Sequence, residues 1–262
     1  MDLGIAGKRA LVLGGNRGIG FGIAQALAAE GVHVAITGRD AARSTDAVAE
    51  LKANSSVQIE SARLDLACTD ELPAFAAMLT ERFGPIDILV NNTGGPQYGG
   101  ATDRSAAEWS ARFQDMILSV IVLTDALLPA MRQRRWGRIL TVISSGVVQP
   151  IPILGISNTL RASLVGWSKT LSAEVAPDGV TANILIPGRI DTERVRLTDA
   201  ANAAQLGISV DEARKRSTAT IPLGRYGTIA EFGAAAAFAA SERASYMTGA
   251  MIRVDGGIVR SW

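Results

Sequence analysis

Three glycines and two arginines near the start of the chain are the first residues whose types and spacing suggest a chemistry. Gly15-x-x-Gly18-x-Gly20 follows the apolar run 10–13, and a helical pattern opens at Gly18. Ile19, Ile23, Ala26 and Leu27 share one helical face, and Gly31 stands where a C-terminal cap belongs. A glycine turn between a buried strand and a helix lets backbone N–H groups approach a pyrophosphate, where the helix dipole also favours negative charge. The spacing is not G-x-G-x-x-G, and no lysine follows, which excludes a Walker phosphate loop. Nucleotide binding is the expectation.

Arg17 sits inside that turn, and the second strand ends Ile36-Thr-Gly-Arg39. NAD binders place an acid about 20 residues on, to take the ribose 2′-hydroxyl; here the residue is Arg39. Two guanidiniums suit a 2′-phosphate, which they can grip bidentately. Either alone is more commonly an ordinary surface charge, but together they make NADP(H) the expected cofactor. Asp40 reads as the N-cap of the next helix. Other chemistries find few residues. His33 is the only histidine and lies within the second strand, so no Ser-His-Asp arrangement forms. The lone Cys68 excludes an internal disulfide and a cysteine metal cluster, and no His/Asp/Glu spacing suggests a metal.

The elements that position these residues repeat down the chain. Strand-like runs at 9–13, 32–37, 57–64, 86–91, 138–143, 180–186 and 250–254 alternate with helical patterns at 18–30, 41–53, 70–83, 105–134, 157–175 and 229–240. Most of the strands are continuous apolar runs, as in a parallel sheet buried on both faces. The pattern predicts one doubly wound α/β domain over 1–262, without linker or internal repeat. The stretch 189–220 breaks the alternation. It is helical and carries Arg189, Arg194, Arg196, Arg214, Lys215 and Arg216. A polar insertion after a strand end is a candidate substrate lid, and a solvated helical pair is the equal alternative.

Composition sets the outer limits. The 262 residues are 48% hydrophobic with a net charge of +1, enough for a sizeable core and no reason to expect nucleic acid or an anionic membrane. No apolar run in the sequence reaches spanning length, and Met1-Asp-Leu-Gly lacks a signal-peptide layout, so a cytoplasmic protein is expected.

Over nearly its full length the sequence resembles the short-chain dehydrogenase/reductase family. The matching segments are Gly14-Gly-Asn-Arg-Gly-Ile-Gly20, Leu64-Asp-Leu66, Asn91-Asn-Thr-Gly94, Leu128-Pro-Ala-Met131, Ile143-Ser-Ser145, Pro187-Gly-Arg-Ile-Asp-Thr192 and Val254-Asp-Gly-Gly257. The resemblance implies a Rossmann-like sheet of seven parallel strands with a nicotinamide cofactor along the strand ends. It implies that Asp65 and Leu66 bracket the adenine, that Asn92 and Gly94 line the ribose side, and that Pro187, Gly188, Ile190 and Thr192 meet the nicotinamide end. It also implies a homotetramer or homodimer, paired through the helices at 105–134 and 157–175.

Two departures are mild, Gly14 where a Thr is usual and Thr93 in place of an Ala, and the likeness fails at the catalytic tetrad. Family members carry Tyr-x-x-x-Lys where this chain reads Ser157-Asn-Thr-Leu-Arg161, placed by the run Ala162-Ser-Leu-Val-Gly-Trp-Ser-Lys169. The family's helical Asn falls near Met116, and of its tetrad only the serine remains, as Ser145 with Ser144 the alternative. A tyrosine near pKa 10 is brought toward neutrality by a neighbouring cation, whereas a serine hydroxyl is far less acidic and a ring shorter. Arginine keeps its charge and relays no proton. Expected roles are therefore Ser145 on the substrate oxygen, Arg161 on the nicotinamide ribose, and Ser157 through water, or Tyr98 from the Gly94–Gly100 loop, as proton source. The expected activity is NADPH-dependent reduction of a carbonyl or enone. The alternative is a catalytically silent NADP(H)-binding sensor or assembly protein. Tyr226 and Tyr246 read as structural.

Overall fold

The computed structural model describes residues 1–102 and 104–261. Seven strands form one parallel sheet: β1 (Arg9–Val12), β2 (His33–Gly38), β3 (Ile59–Arg63), β4 (Ile88–Asn92), β5 (Gly137–Val142), β6 (Val180–Pro187) and β7 (Met251–Val254), in the order β3-β2-β1-β4-β5-β6-β7. Register pairs Val12 with both Ile36 and Val90, Asn92 with Val142, and Pro187 with Val254, so the carboxyl ends share one edge. From β1 the chain winds one way to β2 and β3, and from β4 the other way. The crevice between β1 and β4 is thus the topological switch point, where ligands of such sheets bind. The doubly wound fold matches the sequence reading.

Apolar residues at alternate strand positions feed opposite faces. On one face Val12, Ile36, Val90 and Leu185 meet Ile23 and Leu27 of α1 (Gly18–Ala29) and Phe232 of α9 (Ile229–Ala239). On the other, Leu11, Leu13, Leu89 and Ile139 meet Leu79 of α3 (Leu72–Phe83), Leu127 and Met131 of α5 (Ser119–Arg134), and Leu171 of α6 (Gly155–Val175). α2 (Ala41–Ala53) covers the β2–β3 end.

Several element limits move. β3 is shorter than 57–64, because the Gln58 N–H donates to His33 Nδ1 at 2.9 Å and lies outside the strand. The expected helix at 70–83 opens with a 3-10 turn, Thr69–Glu71, before α3, whose second residue, Pro73, lacks an N–H. The expected helix at 105–134 is α4 (Ala106–Phe113), a π-helical turn (Gln114–Leu118) and α5 in one path, with Ser105 as its N-cap. That path, Ala106–Arg134, is long and apolar enough to cross a membrane by length and composition, contrary to the sequence reading. Its inward residues, Val120, Leu123, Leu127 and Met131, are core. α6 starts at Gly155 rather than Ser157, since the Gly155 N–H donates to Gly99 O at 3.0 Å. The stretch 189–220 contains α7 (Glu193–Leu206) and α8 (Val210–Thr218). Tyr226 is structural, its buried hydroxyl donating to Asp199 of α7 at 2.9 Å, but Tyr246 is fully exposed.

Candidate active site

The glycine turn is shaped by its neighbours. Leu13 N–H donates to Val90 O at 3.0 Å, and Asn92 Nδ2 donates back to Leu13 O at 3.0 Å, closing β1 onto β4. Gly14 then takes φ +58° and Gly18 +55°, left-handed values that a side chain rarely adopts. A Cβ on Gly15 would lie 2.7 Å from Ile36 Cγ2, and one on Gly20 2.8 Å from Asn92 Nδ2. Arg17 is the N-cap of α1 and makes no side-chain cap bond, so the first α1 amides keep their donors for an incoming anion. Thr192 borders the turn, 3.5 Å from where a Gly18 Cβ would stand. The groove fits a pyrophosphate.

The β2 end is basic. Arg39 is exposed and makes no ion pair among the described residues. Asp40 is spent on α2 as its N-cap, accepting from the Arg43 N–H at 3.1 Å. Arg43, in the first turn of α2, is a third guanidinium that the sequence reading missed. Arg43 Nη1 is 2.7 Å and Arg17 Nη1 3.6 Å from the carboxylate of Glu193, the first residue of α7. The Arg43 hydrogen bond holds that carboxyl below its usual range. Asp65 is exposed and accepts from its own loop at Ala67 N, 3.1 Å, while Leu66 packs inward. These residues fit an adenosine carrying a 2′-phosphate and offer no acid in place of Arg39.

At the other end of the groove Gly188 N–H donates to Val254 O at 3.0 Å, and buried Ile190 bridges to Gly227, fixing the turn from Pro187 to Thr192. Thr192 caps α7, accepting from Val195 N at 3.4 Å. Ser157 and Arg161 lie one turn apart on the buried face of α6. Arg161 donates to Val142 O at 3.1 Å, Thr93 O at 3.2 Å and Gly94 O at 2.8 Å. Burial pulls its pKa down to about 10, helped by Arg194 and opposed by Asp115, so it remains a cation at neutral pH. Ser144 Oγ accepts from Gly146 N at 3.1 Å and holds the turn after β5, whereas the Ser145 hydroxyl has no such tie among the described residues.

Further polar residues complete the surroundings. Asn158 Nδ2 donates to Ile151 O at 2.8 Å, but its Oδ1 is buried without a partner among the described residues, as are Thr93 Oγ1 and Asp115 Oδ1. Asp115 lies in the π-helical turn beside buried Met116, and burial pushes its carboxyl up despite Arg112 at 2.6 Å. Tyr98 joins its hydroxyl to Thr198 of α7, and Arg194 stacks 5.8 Å over its ring while donating to Pro96 O at 3.1 Å. α7 is therefore fastened to the loop after β4.

A family model described as enoyl-(acyl carrier protein) reductase matches residues 14–259. The chain belongs to the short-chain dehydrogenase/reductase family. Among relatives of this short-chain dehydrogenase/reductase, a 3-oxoacyl-(acyl-carrier-protein) reductase of Chlamydia muridarum is 32% identical over 254 residues, 97% of this chain and 98% of that one. The L-sorbose reductase of Gluconobacter frateurii, solved with NADPH and L-sorbose, superimposes with TM-score 0.95 at 30% identity over the whole of both chains. RhlG of Pseudomonas aeruginosa, solved as an NADP active-site complex, gives TM-score 0.86 at 30% identity over 98% of each chain.

Proposed function

We propose that this short-chain dehydrogenase/reductase is an NADPH-dependent oxidoreductase that reduces a carbonyl or conjugated enone without the family's usual tyrosine. One observation carries the reading. The donor-rich glycine turn faces the β1–β4 crevice, Arg17 and Arg43 meet on one carboxylate, and Arg39 directly follows β2, an arrangement that a structural use of the fold would not need. NADP relatives and NADPH-bound neighbours support it.

The bound cofactor supplies a hydride. The chain supplies the rest. Gly15, Gly18, Ile19 and Gly20 hold the pyrophosphate on backbone donors, and Arg39 with Arg17 and Arg43 takes the 2′-phosphate. Asp65 and Leu66 bracket the adenine, Asn92 and Gly94 line the ribose, and Pro187, Gly188, Ile190 and Thr192 enclose the nicotinamide. Ser145, the untied hydroxyl after β5, donates to the substrate oxygen. Arg161 places a desolvated positive charge at the β4 and β5 ends, next to the ribose, where it favours developing alkoxide charge. The proton comes through water at Ser157. Tyr98 is the second source, once α7 releases its hydroxyl from Thr198. The 189–220 helices act as the lid, and the enzyme works in the cytoplasm as a homotetramer or homodimer.

A silent NADP(H)-binding sensor is the second reading, favoured by the three main-chain carbonyls that occupy the Arg161 guanidinium. The test is NADPH oxidation by purified protein across ketones, acyl thioesters and enones. Turnover abolished by Ser145→Ala is the expected result; NADPH binding with no turnover on any member selects the sensor.

A further inference from the structure

The first residue of α7 reaches across the crevice. In the sheet order, β2 and β6 stand on opposite sides of the β1–β4 switch point, four strand spacings apart, or about 19 Å at about 4.8 Å each. Glu193 follows β6 and Arg43 follows β2, yet their side chains meet at 2.7 Å, with Arg17 of the glycine turn 3.6 Å from the same oxygen. The ion pair therefore spans the mouth of the groove. It is also the only carboxylate contact that either Arg17 or Arg43 makes to another element among the described residues, since Asp40 is on the same helix end as Arg43.

We propose that Glu193 is a latch that straps α7 across the groove and is exchanged for the cofactor's 2′-phosphate. The inference rests on the NADP(H) reading above. A phosphate monoester carries nearly two negative charges near neutrality and accepts bidentate guanidinium bonds, so it outcompetes one carboxylate for the same two arginines. NAD(H), with a ribose hydroxyl there, leaves the strap in place. Glu193 thus discriminates by cofactor. It weakens NADP(H) binding by the free energy of the pair, and it makes release of the first turn of α7 specific to the phosphorylated form. A glutamate in a helix first turn also favours the N-terminal dipole. That role alone would act equally with both cofactors.

The experiment compares wild type, Glu193→Gln and Glu193→Asp by fluorescence titration with NADPH and NADH, and by hydrogen exchange over residues 193–197. The pair is exposed and its contribution small, so Glu193→Gln should tighten NADPH by about 1.4- to 5-fold and leave NADH unchanged, with Glu193→Asp between. Raising the salt concentration should shrink the NADPH gain. In the wild type NADP⁺, but not NAD⁺, should speed exchange at 193–197. Equal effects on both cofactors, weaker NADPH binding by the variant, or no exchange difference overturns the latch while leaving the proposed function standing. Absence of NADPH binding in every protein overturns both.

Discussion

Arg161 is the residue on which the proposed chemistry turns. A guanidinium removed from water is costly, and here three carbonyls from the β4 and β5 ends meet it. Replacing it with methionine keeps most of the volume and leaves those acceptors without donors, a loss of about 1–3 kcal/mol for each group stranded in the interior. Urea denaturation of Arg161→Met should show a drop of several kcal/mol, with Arg161→Lys clearly less affected. The serines divide in the same way. Ser144→Ala should cost about 0.5–1.5 kcal/mol of stability with the Gly146 bond, while Ser145→Ala should leave stability alone and remove turnover. The double change Ser157→Tyr with Arg161→Lys restores a phenol beside an amine. Ketone reduction should rise at least about tenfold, since a positioned general acid contributes about 10² or more. Full NADPH binding with no gain would contradict the placement of this helix. Ser157 and Arg161 were legible because the run behind them, Ala162 to Lys169, fixes their position. Arg43 and Glu193 were not, because their meaning lies in a contact 150 residues apart in the chain.

Among the elements, α9 shows how local chemistry fixes a segment. Thr228 accepts from the Glu231 N–H at 3.1 Å while Glu231 accepts from the Thr228 N–H at 2.8 Å, a reciprocal cap, and Arg225 adds a bidentate pair. These partners pull the Glu231 carboxyl from 4.5 down to about 2, the Arg225 hydrogen bond most of all. A depressed carboxylate contributes its stability above its unfolded value and loses it as pH falls toward the folded one. Glu231→Gln should therefore be less stable than wild type at neutral pH, and the gap should close between about 4.5 and about 2. A gap independent of pH in denaturant titrations would assign the effect elsewhere. Behind the cap, fully buried Phe232 packs against α1, and Phe232→Ala should cost about 3–5 kcal/mol. The strands were legible as uninterrupted apolar runs. The break of 106–134 into α4, a π-helical turn and α5 was not, because Gln114-Asp-Met-Ile-Leu118 carries neither proline nor glycine to mark it.

For the whole molecule, the sheet order decides where function sits. The divergence of windings at β1 and β4 opens the crevice, the glycine turn borders it, and the β2 and β6 loops flank it with Arg43 and Glu193. That architecture followed from alternation of apolar runs and helical patterns, so the position of the cofactor groove was legible before any side-chain contact. The fastening of α7 was less so. Gly99 and Gly155 pair their backbones, and Tyr98 and Arg194 fasten α7 to the β4 loop, contacts between segments that no sequence period connects. The account rests on a groove built for the phosphorylated dinucleotide. Calorimetric titration of the purified protein with NADPH and with NADH tests it most directly. NADPH should bind at least about tenfold tighter, a difference of about 1.4 kcal/mol from the basic cluster at the β2 end. Equal affinities, or no heat with either, would contradict it.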